Sequence, residues 1–278
     1  RERERERERE KDDLSTRGVD PGLFPFRTWA RLQKELLYSA PELLTPGDAR
    51  GDAALRQALA GIARENADVP SGGLYAAAKG LVPEGLTVDG LDYRETAGDP
   101  LPSIPEPKAL YLAVRQGMAT SDFSGVTLLL PKSAGLTELA DQVNSAWQKE
   151  CSLFFSVEEV EQDEFDARIA AGKYTIALAP IRAEGGSVYQ MLQQFTTAGG
   201  SLTGYADPVY ADRLALSAQQ TGKDRCALLA QCEQQLLESC TVVPLMAQQK
   251  RLLLANGVRD LVFDPFFPVL DLTWAKMS

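Results

Sequence analysis

Histidine is absent from all 278 residues. That excludes His-based nucleophilic triads, most catalytic zinc sites and the usual proton shuttle near neutral pH. Cysteine is scarce, with Cys151, Cys226, Cys232 and Cys240 and no CxxC pair or other metal-like spacing. Two readings of these stay open. They are small buried hydrophobes, or some of them form a disulfide in an extracytoplasmic protein, with a connectivity that spacing does not reveal. A nucleophilic thiol has no imidazole to activate it. Also missing is any apolar run near the roughly 18 residues that span a bilayer, as is a basic stretch followed by an apolar signal segment. The sequence therefore reads as a soluble chain with no stable membrane insertion and no export signal of its own, a feature that a mature or truncated product shares. Excess positive charge is lacking too: the formal charge is -10, which opposes nucleic-acid binding through counterion release.

What is present is 44% hydrophobic content, enough for one large core or two modest ones. The clearest organisation lies between Val126 and Pro180. VTLLL, Val126 to Leu130, is a near-continuous apolar run suited to a strand covered on both faces. Leu136, Leu139, Ala140, Val143, Ala146 and Trp147 then recur at helical spacing. Leu153 to Val160 reads as a second strand. Phe165, Ile169 and Ala170 mark a second helix that Gly172 ends, and Tyr174 to Pro180 reads as a third strand. Helices of this length between strands predict parallel crossovers rather than hairpins.

Elsewhere, RERERERERE offers no apolar face and is set aside as a charged arm. Trp29, Leu32, Leu36 and Leu37 predict an amphipathic helix over Phe26 to Tyr38, and a second helix is expected from near Asp52. Pro70 to Pro107 is dense in Gly and Pro and predicts turns, with short strands around Leu86 to Val88 and Leu91 to Tyr93. A short helix is expected over Ala109 to Met118, and others over Pro208 to Ala218 and Cys226 to Ser239. Ser187 is a candidate N-cap after the third parallel strand. CTVVPLMAQ reads as a strand, a further strand or two follow, and Phe263, Phe266, Phe267 and Trp274 are expected in a core or interface.

Two resemblances accompany these patterns. STRGVDPGLFPFRTWARLQKELL with GDARGDAALRQALA resembles the linking segment of GntR-type regulators fused to an aminotransferase fold. No Schiff-base lysine context and no aromatic-plus-aspartate set for a pyridinium ring follow it, so no pyridoxal phosphate, and no other cofactor or metal, is expected. From about Ala53 onward, DAALRQALAGIAREN, GLVPEG, AWQKECSLFFSVEEVEQDEFDARIAAGKYTIALAP, GYADPVYADRL, VVPLM and VRDLVFDPF resemble, in order, the C-terminal half of family 5 extracellular solute-binding proteins, the peptide and nickel receptors of ABC importers. This implies an α/β fold, a periplasmic-binding-protein-like second lobe with a parallel β-α-β-α-β core and a partial or missing first lobe. The division it implies is a charged arm at 1–13, a helical aminotransferase-like segment at 14–61, a Gly/Pro-rich connection at 62–107, a solute-binding lobe at 108–240 and strands returning toward the first lobe at 241–278.

The resemblance further implies a small peptide or similar solute as partner, an ABC permease if the receptor is intact, and an extracytoplasmic location, or a cytoplasmic one if the chain is truncated. Where peptide receptors of the family carry an acidic residue and proline, this chain has Ser187 and Val188, which leaves a hydroxyl in place of a salt bridge to a peptide amino group. The expected groove residues are Glu184, Ser187, Tyr189 and Tyr205. Two alternatives stand beside this one. The chain is a chimeric or truncated interaction module, or it is an enzyme built on the carboxylate-rich turn of Glu158, Glu159, Glu161, Asp163 and Glu164. Negative residues at a helix start are expected there from the helix dipole alone, so no enzyme is expected.

Overall fold

The computed structural model describes residues 30–39, 49–68, 75–118, 123, 125–182, 186–196, 203 and 205–249, and four strand pieces beyond them. Of residues 30–39, 49–52, 182 and those from 248 on it describes the backbone alone. The centre is a six-stranded mixed sheet in the order β2-β8-β1-β7-β5-β6. Its strands are β1 (Ala30–Ser39), β2 (Tyr75–Ala77), β5 (Thr127–Pro131), β6 (Ser156–Val160), β7 (Ile176–Arg182) and β8 (Val242–Gln249). β5 runs parallel to both β6 and β7, whereas β1 pairs antiparallel with β7 and β8, and β2 with β8. The small β3 (Thr87–Val88) and β4 (Leu91–Asp92) pair with each other. The pieces β9 (Val258–Arg259), β10 (Val262–Phe263), β11 (Leu270–Asp271) and β12 (Lys276–Met277) form two short ladders.

Helices cover both faces. They are α1 (Ala49–Asn66), α2 (Tyr93–Ala97), α3 (Pro107–Arg115), α4 (Thr137–Cys151), α5 (Gln162–Ala170), α6 (Val188–Gln193), α7 (Pro208–Ser217) and α8 (Gly222–Glu238). The strand period of two sorts the side chains between two apolar clusters. Leu128 and Leu130 of β5, with Ile176 and Leu178 of β7, join α1 and α4 in one cluster. Leu129, Ala177, Ala179 and Ile181 join α5, α6, α7 and α8 in the other. This is why VTLLL is nearly continuous in apolar residues: Leu128 and Leu130 pack on one side and Leu129 on the other.

Local chemistry sets the boundaries. The strand expected from Leu153 begins only at Ser156, because the backbone of Phe155 is engaged by a side chain: Asn144 accepts from its N–H at 2.9 Å and donates to its carbonyl at 2.6 Å. α5 ends as its sequence implies. Gly172 takes φ of 65°, its N–H reaches Ile169 O, and Lys173 N–H reaches Arg168 O, a Schellman closure. Trp147 is fully buried, donates to Leu59 O at 2.9 Å and meets Phe155 edge-on at 5.3 Å, which ties α1 to α4. All four cysteines are free and buried. Burial pushes the Cys151 and Cys232 thiols up to about 12 and Cys240 to about 11.

One expectation is overturned. Residues 30–39 form a strand inside the sheet, not the amphipathic helix read over Phe26 to Tyr38. A strand slot between β7 and β8 supplies seven paired positions along β7, and tertiary ladder bonding outweighs the helical spacing of a few apolar residues. The expected helix from near Asp52 is present as α1, the short strands at 86–93 are β3 and β4, and the helices expected at 109–118, 208–218 and 226–239 are α3, α7 and α8. The side chains of the aromatic set Phe263, Phe266, Phe267 and Trp274 lie outside the described residues.

Candidate functional site

Because β5, β6 and β7 are parallel, their carboxyl ends share one edge of the sheet. The chain leaving β5 enters α4 on one face, while the chains leaving β6 and β7 enter α5 and α6 on the other. Neighbouring strands whose connections diverge to opposite faces open a crevice at their carboxyl ends, the usual ligand position in open α/β sheets. Between β5 and β6 this mouth is bridged by side chains. Lys132 pairs with Glu161 at 2.8 Å, Ser133 donates to Gln162 at 2.7 Å, and Thr137 donates to Glu159 at 2.7 Å. On the β7 side the next helix along the chain is α6.

Ser187 is the N-cap of α6, its Oγ accepting from Gln190 N–H at 3.3 Å. Tyr189, the second residue of α6, is half-buried against the cluster that also contains Met191, Leu192 and Phe195. Tyr205 packs on the same cluster and meets Tyr210 edge-on at 5.4 Å. Tyr210, fully buried, donates to Leu192 O at 2.7 Å, which fastens α7 to α6. Asp207 caps α7, accepting from Val209 and Tyr210 N–H. The structure thus brings Ser187, Tyr189 and Tyr205 onto the α6–α7–α8 side of the sheet, whereas Glu184 lies outside the described residues. Burial, and then the Asp207 charge, push the Tyr205 phenol up to about 12.

The carboxylate-rich turn is a solvated, paired surface. Arg168 bridges Glu158 at 2.9 Å and Glu164 at 2.7 Å, and Glu161 and Glu159 are engaged as above. No group of three or more Cys, Asp or Glu among the described residues is arranged to hold a metal ion, and no described helix is long and apolar enough to cross a membrane.

Sequence reasoning missed a buried polar cluster centred on Glu233 of α8. Its carboxylate accepts from Val82 N–H at 2.8 Å, from the Tyr93 hydroxyl at 2.9 Å and from Arg94 Nη2 at 2.8 and 3.1 Å. Arg94 also donates to Gly98 O and Val82 O. The GLVPEG word is therefore moored to α8, and Asp89 adds a second mooring, accepting from Gly222 N–H at 2.8 Å and pairing with Arg225. The available signal was phase. Glu233 falls between Leu229 and Leu236 on the apolar stripe of α8, a position where a carboxylate needs a partner.

The sequence matches no protein-family model and no curated protein. The fold, by contrast, is that of solved solute-binding proteins. HbpA2 from Haemophilus parasuis is similar with a TM-score of 0.68 and 16% identity, over 90% of this chain and 49% of that one. The substrate-binding domain of an oligopeptide ABC transporter from Bacillus anthracis gives 0.66 and 16%, over 94% and 53%. The murein tripeptide binding protein MppA of Escherichia coli gives 0.63 and 18%, over 88% and 48%. This chain spans about half the length of each of them. Its architecture is an α/β periplasmic-binding-protein-like lobe with a mixed sheet and helices on both faces, a partial version of that fold.

Proposed function

We propose that this chain is a solute-binding, non-catalytic component for a peptide-like solute, related to the receptors of ABC importers and working outside the cytoplasm with an ABC permease. The observation that carries the reading is the likeness of nearly the whole chain to one half of proteins described as oligopeptide-transporter and murein-tripeptide-binding. The divergence of connections around β5 supports a crevice for a small guest at its carboxyl end. In this reading residues 108–240 form the binding lobe, and Glu184, Ser187, Tyr189 and Tyr205 contact the solute. Nothing in the fold or in the comparisons supports the aminotransferase-linked reading of residues 14–61. Calorimetric titration of the full chain with a mixed peptide library and with nickel tests the proposal. Saturable heat with peptides is expected, and silence across the panel from a folded chain overturns it. The half-length coverage favours one second reading, an incomplete or chimeric interaction module. That reading expects the silent result together with concentration-dependent association in ultracentrifugation.

A further inference from the structure

Large hydrophobic side chains are exposed at four of the described positions, and two of these share one helix: Val209 is 57% and Leu216 45% exposed on α7. They lie two turns apart, so they stand on the same side. Asp212 and Arg213, the third and fourth residues after Val209, fall between them and complete one stripe along that side. They are the only charged residues of PVYADRLALS. Asp212 is exposed, and Arg213 is half-buried with one guanidinium nitrogen donating to Gln235 of α8. The inward side of the helix is committed to the core through Tyr210, Leu214 and Ser217, and the Tyr210 bond to α6 and the Asp207 cap hold the helix in place.

The stripe is symmetric about the middle of α7. Val209 and Leu216 stand equally far from the junction of Asp212 and Arg213, which is also the midpoint of Pro208–Ser217. A two-fold axis through that point lays a second copy of the helix antiparallel to the first, with Val209 opposite Leu216 and Asp212 opposite Arg213, each pairing made twice. A parallel alignment sets like charge on like. We propose that α7 is a self-docking surface, on which a second copy of this chain packs antiparallel through Val209 and Leu216 with reciprocal pairs between Asp212 and Arg213. A formal charge of -10 works against indiscriminate association, so the charge complementarity of this stripe with itself is what singles out a second copy as the occupant. One helix face makes a small interface, and the dimer is weak and reversible. The proposal stands apart from the solute-binding reading, since no solute takes part in the contact.

Sedimentation velocity of the full chain over about 5 to 500 µM, the range of a weak dimer, is the test. For the wild type a sedimentation coefficient that rises with concentration toward that of a dimer is expected. Leu216→Ser is expected to weaken association about tenfold, because a two-fold contact buries that side chain twice. Asp212→Arg and Arg213→Asp each set like charge on like and are expected to be monomeric alone. Their equimolar mixture, in which every pair across the axis is again of opposite sign, is expected to associate at least as well as the wild type. All variants are expected to keep the wild-type far-ultraviolet circular dichroism, since the substituted side chains lie off the buried side of α7. A wild-type chain that is monomeric throughout overturns the proposal and leaves the stripe to a partner other than itself. Association that Leu216→Ser leaves unchanged, or a charge-variant mixture no better than its parts, overturns the seat on α7. A chain that dimerises as expected yet gives no heat with peptides upholds the proposal and counts against the solute-binding reading alone.

Discussion

The two faces of the central sheet are packed by different means. On the α1 and α4 face the buried cluster is made of aliphatic, aromatic and sulfur-bearing side chains, with Asn144 as a buried polar side chain that satisfies the backbone of Phe155. On the α6, α7 and α8 face an ion pair lies inside the apolar cluster, Glu233 being fully buried and Arg94 nearly so. The first arrangement gains stability from area removed from water and tolerates shape-conserving change. The second gains little net energy from its charges, since desolvation offsets the attraction, but it demands one arrangement of Val82, Tyr93, Arg94 and Glu233. The face with the exacting polar cluster also carries Ser187, Tyr189 and Tyr205. Packing on that side locates loops and helix starts, and packing on the other closes the core.

The largest expected effect breaks this comparison directly. Glu233→Ala leaves the Arg94 guanidinium buried without its carboxylate and is expected to cost about 3–5 kcal/mol in urea unfolding. Replacing both partners, Glu233→Leu with Arg94→Met, is expected to recover most of that loss. If the double variant is no more stable than the single one, the two faces do not differ in kind. On the apolar face, Trp147→Phe strands the Leu59 carbonyl and opens a small void, for about 1–3 kcal/mol by the same measurement.

Gly80→Ala sharpens the contrast from the polar side. A Cβ there meets Glu233 Oε1 at 2.7 Å and Arg94 Nη2 and Pro100 Cγ at 2.9 Å, so a single methyl is expected to cost about 1–2 kcal/mol. An alanine at the exposed Gly172, whose Cβ meets nothing within 4 Å, brings only the strain of its positive φ.

A smaller effect is shared by both faces. Cys151 and Cys232 have thiols raised from 9.0 to about 12 by burial. A folded pKa above the unfolded one means stability that is whole below pH 9 and declines as pH rises toward 12. Unfolding midpoints between pH 8 and 10 are expected to drift downward, and Cys232→Ala and Cys151→Ala each to flatten that drift. The smallest effect belongs to the exposed edge. Lys132→Ala, which removes the pair with Glu161, is expected to leave the unfolding midpoint unchanged within error, because exposed pairs trade Coulomb energy against screening and side-chain entropy.

The parallel unit was legible because each of its parts carries a local signature. A continuous apolar run marks β5, helical spacing marks α4, and a glycine at the right place closes α5. Ser187 was legible as a cap for the same reason, since a hydroxyl before a helix satisfies a backbone N–H whatever surrounds it. β1 was not, because Ala30–Ser39 has apolar residues whose spacing suits a helix and becomes a strand by pairing with residues more than 130 positions away. Glu233 was half legible: its phase on α8 announced burial, but Val82, Tyr93 and Arg94 lie about 140 residues earlier and nothing near Glu233 names them.

Period and punctuation alone determined the helices and strands of residues 126–182 and the α/β class, because those depend on neighbours a few residues apart. Only the tertiary structure decided that β1 joins the sheet and that the GLVPEG turn is moored to α8. Hydrogen-bond partners distant in sequence are chosen by how the chain packs, and no local pattern encodes that choice.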